Sequence, residues 1–200
     1  MQKTIQLSLF WLDTSNRINM FYIKRVCYLI MFLFVQTYAF AQTNYYKVDK
    51  TFYEDGYTYR CDVEEGTQSV LLYNVENKFT YVDQIIKSTG KQRSMNDSSD
   101  SFEDDDWTKD RCYTIVRRAF SSDERRRLQG YGFIIGMYIS SETGKITEVD
   151  FDFVTFNPFA TIPVSVYRQI ETQLKENVWF VPTEYGKGLN YIYLWWRYEL

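Results

Sequence analysis

Two stretches of alternating residues, joined by a four-residue turn and followed by a helical stripe, constrain this chain more than any other feature. Phe133, Ile135, Met137 and Ile139 alternate with smaller or polar positions, and Glu142-Thr143-Gly144-Lys145 supplies the turn. Val149, Phe151 and Phe153 then alternate with Glu148, Asp150 and Asp152. A period of two on both sides of a Gly-containing turn predicts an antiparallel hairpin with one buried face, its acids on the solvent side. After Pro163, the stripe Val166, Ile170 and Leu174 runs at helical spacing towards Asn177, which predicts a helix packed on the hairpin. Upstream, Ile115, Val116, Ala119 and Phe120 recur at helical spacing. Ser121 with Glu124 reads as a capping box that opens a second short helix through Leu128, and Gly130 ends it. Val178 to Val181, the turn around Gly186-Lys187-Gly188 and the run Leu189 to Leu200 are expected to complete the strand pairing. The second half therefore reads α-β-β-α-β, and the fold class is α+β, an antiparallel sheet packed on a helix.

The preceding segment, residues 42–110, is strand-rich. Tyr57, Tyr59, Cys61 and Val63 alternate against Thr58, Arg60, Asp62 and Glu64, and Val70 to Tyr73 can return beyond Glu65-Gly66 as an antiparallel partner. Residues 91–106 turn polar, with Asp97, Asp100, Glu103, Asp104, Asp105 and Asp106 among serines, and are expected to form a mobile loop. A calcium loop needs ligands at fixed offsets and a Gly at its bend, and this stretch has neither, so no metal site is expected. Arg125, Arg126 and Arg127 are consecutive and so point in different directions on a helix. A solvated face pairing the acidic loop is expected rather than an anion site.

No fold is expected for residues 1–41. Lys24 and Arg25 precede the apolar run Val26 to Val35, which closes on Ala39-Phe40-Ala41, the order of a cleavable secretory signal peptide. The run is shorter than the ~20 apolar residues of a spanning helix, so cleavage between Ala41 and Gln42 is expected. Residues 1–19 make an unusually long leading segment, and Met20 is read as the true start. No Cys follows the cleavage site, so a soluble exported form, periplasmic or outer-membrane-associated, is expected over a lipid-anchored one. Membrane contact is then limited to the signal peptide before cleavage. From Gln42 onward the chain holds 19 Lys+Arg against 25 Asp+Glu, which disfavours nucleic-acid binding. Cys61 and Cys112 remain, in an oxidising compartment. They form either a disulfide closing a loop of about 50 residues or two separate buried thiols, and spacing alone does not choose.

The ordered combination of Arg125-Arg126-Arg127-Leu128-Gln129-Gly130, the following strand, the turn Glu142-Thr143-Gly144-Lys145-Ile146 and the stretch from Phe180-Val181-Pro182 to Gly186-Lys187 resembles a TonB C-terminal domain over residues 111–200. It resembles still more closely uncharacterised exported Bacteroidota proteins, carriers of a domain of unknown function, in which a Gly-Lys-Ile-x-Glu-Val turn and strand precede a helix ending in Leu-Lys. Here these are Gly144 to Val149 and Leu174-Lys175. The resemblance implies a periplasmic module that binds an extended segment by adding it to a sheet edge. From Gln42 onward only Pro158, Pro163 and Pro182 occur, so the proline-rich spacer of TonB energy transducers is missing and coupling to a membrane motor is not implied.

Function is bounded by inventory. The chain has no histidine, which removes Ser-His-Asp and Cys-His nucleophile activation and His-ligated zinc sites. No Cys-x-x-Cys occurs, no catalytic residue is assigned and no cofactor is expected. A hydrolase built on two carboxylates needs no histidine and stands as one alternative. The leading expectation is a non-enzymatic binding or interaction module of unknown protein or glycan partner. Tyr191, Tyr193, Trp195 and Trp196 of the terminal strand are the candidate partner-binding residues, against the alternative that these rings are core. Aromatic stacking on sugars makes a carbohydrate-binding protein the second alternative.

Overall fold

The computed structural model describes residues 43–54, 56–94, 99–105 and 107–200. The leader assigned to residues 1–41, the cleavage pair Ala41 and Gln42, and Asp97 and Asp106 of the acidic stretch lie outside the described residues. Six strands form one antiparallel sheet: β1 (Lys50–Glu54), β2 (Tyr57–Glu64), β3 (Ser69–Asn74), β4 (Gly132–Ile139), β5 (Ile146–Val154) and β6 (Ile192–Glu199). Their spatial order is β1-β2-β3-β5-β4-β6. Among the described residues the helices are α1 (Thr108–Ala119), α2 (Ser122–Leu128), α3 (Val164–Asn177) and the single turn α4 (Glu184–Lys187), with a 3-10 turn at Pro158–Thr161.

The expected hairpin is β4 and β5, paired from Ile134 opposite Asp152 to Ile139 opposite Ile146. Gly144 takes a positive φ of 69° at its turn. The N-terminal strands extend the same sheet, because β3 pairs with β5 through Val70 opposite Phe153 and Leu72 opposite Phe151. Strand period then dictates the layers. Cys61, Leu72, Phe151, Ile135 and Trp196 form one row across five strands on the face that meets α1 and α3. Rings fill that face: Phe133 lies 4.4 Å from Phe159, Phe151 lies 4.9 Å from Tyr167, and Tyr167 stacks on Phe153 at 5.6 Å. The hydroxyls of Tyr46 and Tyr167 donate to Ile162 and Phe159 carbonyls, each at 2.9 Å, so these rings are buried without orphaned polar atoms. Glu171 of α3 is fully buried as well, accepting from Tyr59, from Arg168 at 3.0 Å and from Lys175 at 3.3 Å.

The capping box of α2 forms as the sequence predicts. Three expectations are corrected. First, Val178 to Val181 forms no strand; it makes single bridges, Trp179 with Lys145 and Pro182 with Phe102, because the segment leaves α3 and meets Pro182 within five residues. Second, the described end of the acidic stretch is docked. Glu103 donates its N–H to Val181, Thr183 bonds to Asp100 and Ser101, and Asp105 accepts from the amides of Trp107 and Thr108 at the start of α1. Third, the arginines have partners outside that stretch: Arg125 donates to the Phe120 and Arg117 carbonyls, Arg126 pairs with Asp123 at 2.9 Å, and Arg127 reaches Thr161.

Cys61 and Cys112, left open between a disulfide and two separate thiols, are free, buried thiols. Cys61 lies on β2, whereas Cys112 faces Met137 of β4 and Leu194 of β6. Four interstrand spacings separate β2 from β6, about 19 Å in all, against the ~7 Å limit between Cα atoms of a disulfide. Burial pushes both thiols up to about 12, so neither is a reactive thiolate.

Candidate partner-binding edge

Strand β6 is the last of the sheet. It pairs with β4 over eight positions, from Gly132 opposite Glu199 to Ile139 opposite Ile192. No other backbone hydrogen bond reaches Ile192 to Glu199, and the outer N–H and C=O groups of this strand are unpartnered, among the described residues. Its side chains split by period two. Ile192, Leu194, Trp196 and Tyr198 face the helices, and Tyr193, Trp195, Arg197 and Glu199 face the opposite side.

The four candidate residues are therefore not one patch. Trp195 is 59 % exposed on the open side, and Tyr193 beside it is half-buried, its ring 5.0 Å from Tyr138. Trp196 points the other way and lines a groove. Tyr191 precedes the strand and is buried, donating its hydroxyl to Val82 and lying 4.6 Å from Phe79. It fastens the 75–94 loop to the sheet instead of meeting a partner.

Two grooves lie between α1 and β6. The first, about 340 Å³, is lined chiefly by Phe102, Cys112, Met137, Phe180, Leu194 and Trp196, with Glu103, Asp104, Asp105 and Lys109 also along it. The Trp196 Nε1 is buried and unpartnered among the described residues. The second, about 660 Å³, is lined by Asp110, Tyr113, Thr114, Arg117, Arg125, Arg126, Gln129 and the segment Tyr198 to Leu200. Tyr113 lines both and packs on Tyr198 at 5.2 Å, so it divides them. Burial pushes the Tyr198 hydroxyl up to about 12, while Arg117 and Arg125 both act against the rise, which places two guanidinium groups near it. The sequence reading missed Phe102, Phe180, Cys112, Tyr113 and Arg117. The one signal available was Phe102, an isolated aromatic within an acidic stretch.

The open face differs from its sequence reading. Glu148 and Asp150, expected on a solvated side, are buried at 7 % and 3 % exposure, and Asp152 is half-buried. The 75–94 loop folds over them: Glu148 accepts the amides of Lys78 and Phe79, both at 2.9 Å. Asp150 accepts from Tyr138 at 2.9 Å, and its Oδ1 with the Tyr193 hydroxyl fills the space that a side chain at Gly136 would need. Burial pushes Asp150 up to about 6 against the Tyr138 hydrogen bond, with Asp152 and Glu148 adding to the rise. Burial also raises Asp152, opposed by the Ser69 hydroxyl. Asp62 goes the other way, because donation from Tyr81, Arg60 and Tyr73 outweighs its burial. These carboxylates are held by amides and hydroxyls of the loop and sheet, in a structural network. Among the described residues no three Cys, Asp or Glu side chains converge as metal ligands.

Residues 42–196 match the model of a domain of unknown function, DUF5043. The chain belongs to the DUF5043 family. A crystal structure of a DUF5043 family protein from Bacteroides uniformis ATCC 8492 is 44 % identical, covers 78 % of this chain and 94 % of its own, and superposes with a TM-score of 0.75. No functionally curated protein matches the chain. Of the earlier resemblance, these comparisons support a domain of unknown function with a Bacteroides relative.

Proposed function

We propose that this DUF5043 domain is a non-enzymatic binding module of the cell envelope, which captures an extended segment of another protein by adding it as a strand to β6. The observation that carries the reading is the unpartnered outer edge of β6, eight residues long and flanked by grooves. In strand addition, main-chain hydrogen bonds give affinity and pockets for alternate side chains give selectivity. The absence of histidine and the engagement of Glu148, Asp150 and Asp152 within the fold support binding over hydrolysis. A second reading, carbohydrate binding, is favoured by one observation, the exposed Trp195 ring beside Tyr193. The test is a pull-down of residues 42–200 from envelope extract with a glycan array on the same sample, followed by hydrogen exchange on the captured complex. A protein partner that slows exchange at the outer amides of β6 is the expected result. Glycan binding that is lost in Trp195→Ala, with β6 exchange unchanged, would replace strand addition by sugar recognition.

A further inference from the structure

The two grooves beside β6 differ in chemistry, and their order along the strand is fixed. The first is apolar in its walls, met by Leu194 and Trp196 from the strand and by Cys112 from α1. Glu103, Asp104 and Asp105 at its side make it unfavourable for a carboxylate. The second is met by Tyr198 from the strand and by Arg117 from α1. Of the cations there, Arg126 is already paired with Asp123, and Glu199 is already engaged by Arg197 at 2.9 Å. Arg117 has no ion-pair partner among the described residues, and Arg125 is anchored on backbone carbonyls, with no carboxylate on it. Among the described residues the one other carboxylate side chain lining this groove is that of Asp110, so Arg117 and Arg125 outnumber the acidic side chains left to them.

Spacing converts this into a sequence preference. On the helix side the first groove is met by Leu194 and Trp196 and the second by Tyr198 and Leu200, so added residues opposite 194 and 198, or opposite 196 and 200, enter the two grooves four residues or about 13 Å apart along a strand. The α1 side agrees, since Lys109 to Arg117 also spans about 12 Å of helix. Side chains four apart on a strand share a face, so one added segment can fill both grooves. Every strand pair in this sheet is antiparallel. A segment continuing that pattern meets the cationic groove first and the apolar groove four residues later.

Resting on the strand-addition reading, we infer that the β6 edge selects an extended peptide carrying a carboxylate side chain and, four residues further on, a bulky apolar side chain. Arg117 binds the carboxylate, and the Met137, Leu194 and Trp196 groove takes the apolar group. Tyr113 separates the two subsites.

The test uses fluorescein-labelled nine-residue peptides on an alternating Thr/Val background, titrated by anisotropy, with hydrogen exchange of the β6 amides on the same complexes. The parent peptide carries Glu at position 3 and Phe at position 7. One comparison peptide has Gln for Glu, one has Ala for Phe, and one has Glu and Phe exchanged. Glu to Gln and Phe to Ala are each expected to weaken binding about tenfold, the size of one charge-assisted hydrogen bond or one buried side chain. Arg117→Ala, an exposed helix position that leaves the core untouched, is expected to weaken the parent peptide equally but not the Gln peptide. If all four peptides protect the β6 amides with equal affinity, strand addition stands and the sequence preference is overturned. If the parent peptide binds with the expected preference while the β6 amides stay unprotected, the strand-addition reading fails and the subsites alone remain. No binding by any peptide at millimolar concentration overturns the inference.

Discussion

Gly144 and Gly56 both take a positive φ, 69° and 80°, yet replacing them by Ala should cost very different amounts. At Gly56 an added Cβ meets nothing within 4 Å. Only the left-handed backbone opposes the change, about 1–2 kcal/mol, offset in part by the ~0.4–1 kcal/mol gained from a stiffer unfolded chain. The net loss is about 1 kcal/mol. At Gly144 the same Cβ would sit 1.8 Å from the Phe180 carbonyl oxygen and 3.2 Å from Pro182 Cδ. An ordinary carbon–oxygen contact is about 3.3–3.6 Å, so that carbonyl must retreat by about 1.5 Å. Its segment is held there by the Phe180 N–H donating to the Gly144 carbonyl at 2.8 Å and by the adjacent Lys145–Trp179 bridge. Losing that hydrogen bond with its groups still enclosed costs a further 1–3 kcal/mol, roughly. Gly144→Ala should therefore lose about 3 kcal/mol, and the difference between the two variants, about 2 kcal/mol, isolates the docking of the segment that follows α3. Urea unfolding of the two variants and the parent measures it. Midpoints for Gly56→Ala and Gly144→Ala that agree within experimental error would refute the reasoning, because the two share backbone strain and differ only in the neighbour.

Asp150 gives a pH signature. Its carboxyl is raised from the ordinary 3.8 to about 6, so between about pH 4 and 6 this group is more protonated in the native state than in the unfolded chain, and its contribution to stability falls by about 3 kcal/mol as pH rises through that window. Asp150→Asn should flatten this slope in unfolding curves taken from pH 4 to 7; an unchanged slope would assign it elsewhere. Glu171→Ala should cost about 3–5 kcal/mol in the same assay, since it strands Arg168, Lys175 and the Tyr59 hydroxyl around a buried vacancy; a loss under 1 kcal/mol would mean that Tyr59 and the cations find water. Neither Cys61 nor Cys112 should react with a thiol reagent until urea unfolds the protein, and the mass should not change on reduction. Rapid native labelling, or a gain of two mass units on reduction, would contradict the buried free thiols.

The elements that were legible in the sequence carry their own signals within a few residues. The β4–β5 hairpin has its Gly144 turn and alternating rings, α2 has Ser121 and Glu124, and β2–β3 has its alternation across Glu65-Gly66. What was not legible depends on long-range coverage. Glu148 and Asp150 alternate as a solvated face would, and are buried because loop amides 69 and 70 residues away in sequence come to rest on Glu148. The grooves were hidden for the same reason, since Phe102, Cys112 and Phe180 meet only when α1, the stretch before it and the segment after α3 converge on β6. Tyr191, Tyr193, Trp195 and Trp196 were grouped as one aromatic edge with core packing as the alternative, whereas the strand's period of two puts Trp195 and Trp196 on opposite faces.

The two ends of the sheet explain why β6, and not β1, is the candidate docking edge. β1 has five residues, begins at Lys50 and ends at Glu54, and the Lys50 ammonium caps the Phe52 ring at 4.7 Å. Short length and terminal charges are how edge strands discourage further pairing. β6 has eight residues, and its helix-facing side carries Leu194, Trp196 and Tyr198 with no charge among them. The N-terminal strands are added beyond β5, on the side of the hairpin away from β6, and so they leave that edge as it would be in the α-β-β-α-β unit alone. Arg197 and Glu199 sit on the opposite face of β6 and pair with each other at 2.9 Å, which places their charges away from the groove side. An eight-residue edge with an uncharged inner face is an aggregation hazard unless a partner covers it, and a strand-adding partner removes that hazard while satisfying the same backbone groups.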